Sequence, residues 1–524
     1  MLIGSIQRRS VLALLGSTGL LAACGGAKRQ EGMSTTLMIA RSLDNSNLDP
    51  AFDASFADDS VRELAYERLV AQVFRDGAPT GEFQGVLAES WEMEPSGLVW
   101  TFKLRRDRMF DDGAPVTAQA FDFSHRRALT VQPGLGANFF WLKGYEVVDD
   151  YTLRFTLHEP FPILLHFLSL AGAVVNPAVM AHETDGDMAA AWLSENTAGS
   201  GPYRVERWDR GQQLAMGPNP HYATPPEFFE RIVFRYIKEP NARRLELTNG
   251  RVDICEGLSV DDLERFEAIP DVTVFSEPGA QLVFVDMNNR HPDLSDARVR
   301  RALSMAVDYE QLIASVMHGH ATPLRGPIPA GMPGFDPGAA IPARDVEGAK
   351  ALLAEAGREN LEFTLTYVQG GGGIASTALM LQSNMADIGV KLNLEAVAPS
   401  AAISKIMGGE YELAMNNFAP AFADPWLVMF PLYFSANAGA GGNTVFYENA
   451  KVDALLLQAQ SEMDADKRLS LYRDAQKLIV ADAPRIFLFS VDGFLAYRDD
   501  VGGLNYSAWR PFVYNVASMT RLSV

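Results

Sequence analysis

Residues 87–128 read LAESWEMEPSGLVWTFKLRRDRMFDDGAPVTAQAFDFSHRRA, and the first piece of the architecture follows from them. Leu98, Trp100, Phe102 and Leu104 share one parity, while Val99, Thr101, Lys103 and Arg105 share the other. A period of two with cations on one side predicts a half-buried β-strand whose wet face carries Lys103 and Arg105. Asp111-Asp112-Gly113-Ala114-Pro115 predicts a turn, because Asp and Gly tolerate tight dihedrals and Pro presets the next one. Thr117 then stands at the N-cap of a helix whose inner face carries Phe121, Ser124, Arg127 and Ala128. Tyr151, Leu153, Phe155 and Leu157 alternate again after Asp149-Asp150, so this run can pair antiparallel with Leu98–Leu104. Nothing in the stretch is arranged for chemistry. It is scaffold.

Working outward, the 524 residues suffice for two or three domains, and 48% hydrophobic residues with 10% aromatics support a large globular core. The net charge of −20 argues against nucleic acid or an anionic membrane face as main partner. Residues 1–23 read as an export signal: Arg8-Arg9 precede the apolar run Val11–Leu15, in the manner of a twin-arginine or general secretory signal. Leu21-Ala22-Ala23-Cys24 matches a bacterial lipobox, in which Cys24 becomes the lipidated first residue; the alternative is an ordinary cleaved signal with an incidental cysteine. Cys255 is the other cysteine, so with Cys24 acylated no internal disulfide forms, and its neighbours predict a buried, inert thiol. No later window has the apolar run that a spanning helix needs.

From Arg344 onward, helix Val346–Ala356, strand Phe363–Tyr367, helix Ile374–Ile388, strand Val390–Leu394, helix Pro399–Met407 and strand Tyr411–Met415 alternate. That order predicts a parallel α/β unit with right-handed crossovers. The eight histidines include no HExxH pair, no GxSxG elbow occurs, and Gly370–Gly373 is followed by Ile374-Ala375 where a phosphate loop needs Lys-Ser/Thr. The expectation is a protein without catalytic site, metal or cofactor. Adjacent acids such as Asp58-Asp59 read as turn-forming. Ligands of open α/β sheets bind beyond the carboxyl ends of strands. Strand Tyr411–Met415 runs out into NNFAPAFADPW, residues 416–426, which reads either as a rigid aromatic wall or as a core plug. Phe139-Phe140-Trp141 likewise reads as packing or as ligand contact.

LAESWE and TFKLR, FDDGAPVTA, Ser200-Gly201-Pro202-Tyr203, Asn219-Pro220 with Tyr222, LTNGRVDI (residues 247–254), DARVRRALSMAVDYEQLI (residues 296–313) and Gly326-Pro327-Ile328-Pro329 come in one order. That ordered set resembles the family 5 solute-binding proteins, the oligopeptide and dipeptide receptors of ABC importers. The resemblance implies an α/β, two-lobed periplasmic-binding-protein fold with an extra inserted domain, in three structural segments. The corresponding expectation is a tether at 24–35, first-lobe segments at 36–70, 197–281 and 486–524, an inserted domain at 71–196 and a second lobe at 282–485. It further implies a monomeric, exported receptor in the periplasm or cell envelope, held by lipid on Cys24, that delivers a peptide or peptide-like solute to ABC permease subunits. Alternatives are a non-peptide solute (sugar, opine or metal chelate), a sensing role, or a secreted hydrolase. Many family members carry a W-x-x-D-x-x-DP pattern near the loop, and in peptide receptors the first Asp holds the α-ammonium. Here Phe418 falls on the aromatic, Ala421 on that Asp, and Asp424-Pro425 on the final pair. The expected ligand-binding set is therefore Asn417, Phe418, Ala421, Phe422, Asp424 and Trp426 with Trp141, Asp424 substituting by reaching the pocket.

Overall fold

Trp100, Phe102 and Leu104 are buried and Lys103 is exposed along strand Val99–Leu104, as the alternation predicts. The computed structural model describes residues 34–52, 55–131, 135–339, 343–370, 373–511 and 513–523, so the export signal and Cys24 lie outside the described residues. Strand Thr152–Leu157 pairs antiparallel with Val99–Leu104, setting Trp100 opposite Phe155 and Phe102 opposite Leu153. Ala88–Met93 and Leu142–Asp149 complete a four-stranded antiparallel sheet. Helix Ala118–Thr130 buries Phe121, Arg127 and Ala128 as expected, and His125 with them. Thr117 is its N-cap by position, but its side chain makes no capping bond. His125 meets Phe139 and Tyr145 edge-on, and burial lowers its pKa to about 4.

The other large sheet holds eleven strands. Along one side run Lys391–Val397, Glu362–Val368 and Leu413–Phe418, parallel to one another as the β/α alternation predicts. Along the other run Ile254–Cys255, Thr36–Arg41, Arg231–Tyr236, Gln213–Pro218 and Tyr203–Asp209. Two long strands, Val272–Met287 and Arg485–Arg498, lie between and belong to both sides. Their register breaks between Glu277 and Gln281. Before the break, residues 272–277 pair with 493–498; after it, 281–286 pair with 485–491. Residues 486–491 pair with 281–285, and from Gly493 onward the strand pairs with 272–277. At the break Gly279 is pressed against the second strand: a Cβ there would sit 2.5 Å from the Val491 carbonyl oxygen.

Each side has its own core. One gathers Leu37, Ile39, Ile232, Phe234, Tyr203, Leu495 and Val516 around the first strands. The other gathers Val299, Leu303, Phe363, Leu365, Leu381 and Ile486 around the parallel strands and their helices. A third cluster ties the four-stranded sheet to helices Pro425–Tyr433, Ala450–Ser461 and Ala465–Asp482. Cys255 is buried in a strand, and burial pushes its thiol up to about 12, matching the inert thiol expected. Among the described residues no helix is long and apolar enough to cross a membrane.

Candidate functional site

Strand Leu413–Phe418 ends where the two halves of the sheet face each other. Its end is held from below: Asn416 Nδ2 donates to Asp286 at 2.9 Å, and Asp286 forms a fully buried pair with Arg485 at 3.0 Å. Thr444 Oγ1 also donates to Asp286, at 2.6 Å. Arg485 Nη2 in turn donates to Thr444 Oγ1 at 3.0 Å, so the buried pair, Asn416 and Thr444 form one network that fixes where the strand stops.

Two cavities open beside that end. One, of about 430 Å³, has Ala419 and Ala421 on one wall and Arg41, Asp59, Arg68 and Glu256 on the other. The second, of about 440 Å³, has Met415, Asn416 and Asn417 on one wall, Tyr506 and Phe494 on another, and Asp492 at the crossing. Gly257 lines both, so the two are compartments of one crevice bounded by both halves of the sheet. Their size is that of pockets for small solutes.

The charges on the first wall are arranged differently from one another. Arg41 pairs with Glu256 at 2.9 Å, and Tyr514 Oη donates to Glu256 at 2.6 Å. Burial nonetheless raises the Glu256 pKa, the Arg41 charge opposing it. Arg62 gives its two terminal nitrogens to the Phe52 and Asn47 carbonyls, each at 2.9 Å. Asp58 completes a capping box with Ser55 at the start of helix Phe56–Ala65. Its neighbour Asp59 points to the cavity instead, with its pKa raised by burial against the pull of Arg68. The acidic pair is thus one cap and one cavity residue rather than a turn. In the second compartment burial also raises the Asp492 pKa, with the nearby His320 opposing.

Of the residues expected at the site, Asn417 lines the second compartment and Ala421 the first. Phe418 is half-buried, pairs with Leu282 and packs on the aromatic cluster. Phe422, Asp424, Trp426 and Trp141 do not line the crevice. Trp141 stacks on Phe161; Trp426 packs on Phe140, Phe167 and Phe430; Phe422 meets His166 and Phe167. Asp424 is 4% exposed, accepts from the Trp426 amide at 2.9 Å and pairs with Arg468. The reason is local: Asp followed by Pro at the first helical position is an N-cap signal for the apolar helix PWLVMFPLY. The loop is both things its composition allowed, a wall through Ala421 and a plug from Phe422 onward. Asp59, Glu256 and Asp492 were not foreseen; the Ser55–Asp58 capping box was the available signal that Asp59 begins a helix rather than a turn.

Two α/β lobes joined by two crossing strands, with a largely apolar crevice between them that carries a few charged groups, are the architecture of a solute-binding protein. The chain belongs to the bacterial extracellular solute-binding proteins, family 5, whose middle region matches residues 82–440. It is similar to the probable D,D-dipeptide-binding periplasmic protein DdpA of Escherichia coli (strain K12), 34% identical over 486 residues, covering 93% of this chain and 94% of that protein. It is 25% identical to di/tripeptide-binding protein 2 of Pseudomonas aeruginosa, covering 93% of this chain and 96% of the other. Among solved structures it resembles MoaA from A. tumefaciens R10 in complex with mannopinic acid, at 28% identity and TM-score 0.80 over 94% of this chain and 100% of that one. It also resembles DppA from Helicobacter pylori in complex with peptide STSA, at 25% identity and TM-score 0.79 over 91% and 97%. The two-lobed fold of periplasmic binding proteins is thereby shown.

Proposed function

We propose that this protein captures a short peptide in the crevice and presents it to the permease of an ABC importer. The observation that carries the reading is the crevice itself: its walls come from both lobes and meet around the end of strand Leu413–Phe418. A solute touching both walls stabilises the closed arrangement by the contacts that only that arrangement makes. The crossing strands, with their break between Glu277 and Gln281, form the hinge. In this reading the first lobe comprises 36–70, 197–281 and the C-terminal segment, the second lobe lies within 282–485, and 71–196 is the inserted domain. Asn417 and Ala421 contact the solute, while Phe418 backs the wall. The protein releases its solute unchanged, acts as a monomer, and works in the periplasm or cell envelope on a lipid carried by Cys24.

The similarity to a D,D-dipeptide-binding protein over nearly all of both chains makes dipeptides the first solutes to try. Titration calorimetry with D-alanyl-D-alanine and with L-alanyl-L-alanine tests this; binding of at least one supports the reading, and binding of neither overturns it for dipeptides. Native mass spectrometry of the purified protein adds a direct view of any retained solute. Mass spectrometry of the membrane fraction tests the lipid: an unmodified Cys24 thiol, or a chain cleaved beyond it, overturns the anchor.

A further inference from the structure

The first compartment contains two carboxylates with different surroundings. Glu256 is committed, bonded to Arg41 and to Tyr514. Asp59 is not: among the described residues no hydrogen bond reaches its carboxylate, although it lines the cavity and is half-buried. The charged groups facing it are Arg62, Glu63, Arg68 and Arg510. Each cation among them has bonds elsewhere. Arg62 serves the Phe52 and Asn47 carbonyls, Arg68 serves Glu63 and the Leu170 carbonyl, and Arg510 sits 2.8 Å from Glu63. Glu63 is thereby held between two arginines, and Asp59 is left with an unfilled acceptor set aimed at the void. Its oxygens are left to the solvent of the cavity, and an ammonium that enters there gains a charge-assisted hydrogen bond without displacing any protein partner.

Across that void the second-lobe wall presents the methyl groups of Ala419 and Ala421. They supply room and no charge, so a cationic group entering here finds its counter-charge on the first-lobe side. We propose that Asp59 is the ammonium anchor of the crevice, selecting solutes with a free amino group and docking that group on the first lobe rather than on the loop after strand Leu413–Phe418. This rests on the reading of the crevice as a peptide pocket and adds which residue recognises the peptide's amino end. It also assigns an order to capture: the amino end is bound by the first lobe before the second lobe closes over it.

The test is calorimetry with D-alanyl-D-alanine, or its L,L counterpart if that binds better, against the N-acetylated form of the same dipeptide. The natural protein is expected to prefer the free amine by about 10–100-fold, the range of one hydrogen bond to a charged group. Asp59→Asn keeps size and loses charge; it should abolish that preference while leaving the weak binding of the acetylated form in place. Adding Ala421→Asp to Asp59→Asn should restore part of the preference from the opposite wall. Glu82→Gln, at an exposed carboxylate that pairs with Arg75 and lines neither compartment, should leave the preference intact. Melting curves confirm folding of each variant, and Asp59→Ser replaces Asp59→Asn if the latter does not fold. Equal binding of free and acetylated dipeptide by the natural protein overturns the proposal, as does a preference that survives Asp59→Asn or disappears in Glu82→Gln. Failure of the natural protein to bind either form overturns the dipeptide reading on which the proposal rests, which keeps the two failures distinct.

Discussion

Replacing Asp424 with Asn separates a structural carboxylate from a ligand-binding one. Asp424 and Arg468 are buried against each other, and Asp424 also caps helix Pro425–Tyr433 through the Trp426 amide. Asn keeps an oxygen for that amide, so the cap survives and the charge alone is lost. Arg468 would then stay buried with Tyr472 as its remaining neighbour, the guanidinium lying 5.2 Å from that ring. Removing one partner of a buried pair costs about 3–5 kcal/mol. At about 2 °C per kcal/mol, the low end for large domains, the melting temperature should fall by roughly 6–10 °C. Asp424→Ala should fall further by about 1 kcal/mol, since it also loses the cap. Pairing Asp424→Asn with Arg468→Met should recover much of the loss, because no unpaired charge then remains. Calorimetric melting and dipeptide titration on the same samples provide both readouts. A melting temperature unchanged by Asp424→Asn, with affinity lost by tenfold or more, would refute the placement of this carboxylate in the core.

Three further outcomes follow from packing and charge. Trp426→Ala should destabilise by about 3–5 kcal/mol, the usual cost of a large cavity, while dipeptide affinity of the folded fraction stays within about twofold; loss of affinity at unchanged stability would contradict this. Gly279→Ala should lower the melting temperature, because its Cβ meets backbone of the second crossing strand and not a side chain that can swing away; overpacking of this kind costs about 1–3 kcal/mol. An unaltered melting curve would show that the crossing yields freely. His125 is held neutral, with a folded pKa of about 4 against about 6.5 unfolded. Between those values the unfolded chain binds a proton that the folded one does not, so stability falls as pH drops from about 6.5 to 4, by up to about 3 kcal/mol. His125→Phe, which keeps a ring in the aromatic slot, should flatten that part of the melting-temperature profile; a slope equal to that of the natural protein would remove His125 as its source.

Where the fold was legible in the residues, a local period carried it. The parity of Trp100, Phe102 and Leu104 decides a strand face within six residues, and the pairing with Leu153 and Phe155 follows from matching faces. The strand–helix alternation after Arg344 decides parallel pairing because each helix must carry the chain back along the sheet. The crossing strands were less legible: Val272–Met287 runs sixteen residues through two environments, so no single alternation describes it. In the site the obstacle was of another kind. Asp424-Pro425 announces an N-cap from local chemistry alone, whereas the family's W-x-x-D-x-x-DP pattern places the same pair beside the ligand-facing loop. Asp59 shows the converse. Nothing within its own helix distinguishes it from Asp58 except that Asp58 is used up by Ser55, and only the tertiary fold sets Asp59 across a cavity from Ala421. A carboxylate on one wall and a methyl group on the other are complementary facts of one pocket, and each is uninformative until the other is placed beside it. The loss of the acid at 421 therefore does not by itself mean the loss of amine recognition; the charge that matters is the one left without a partner.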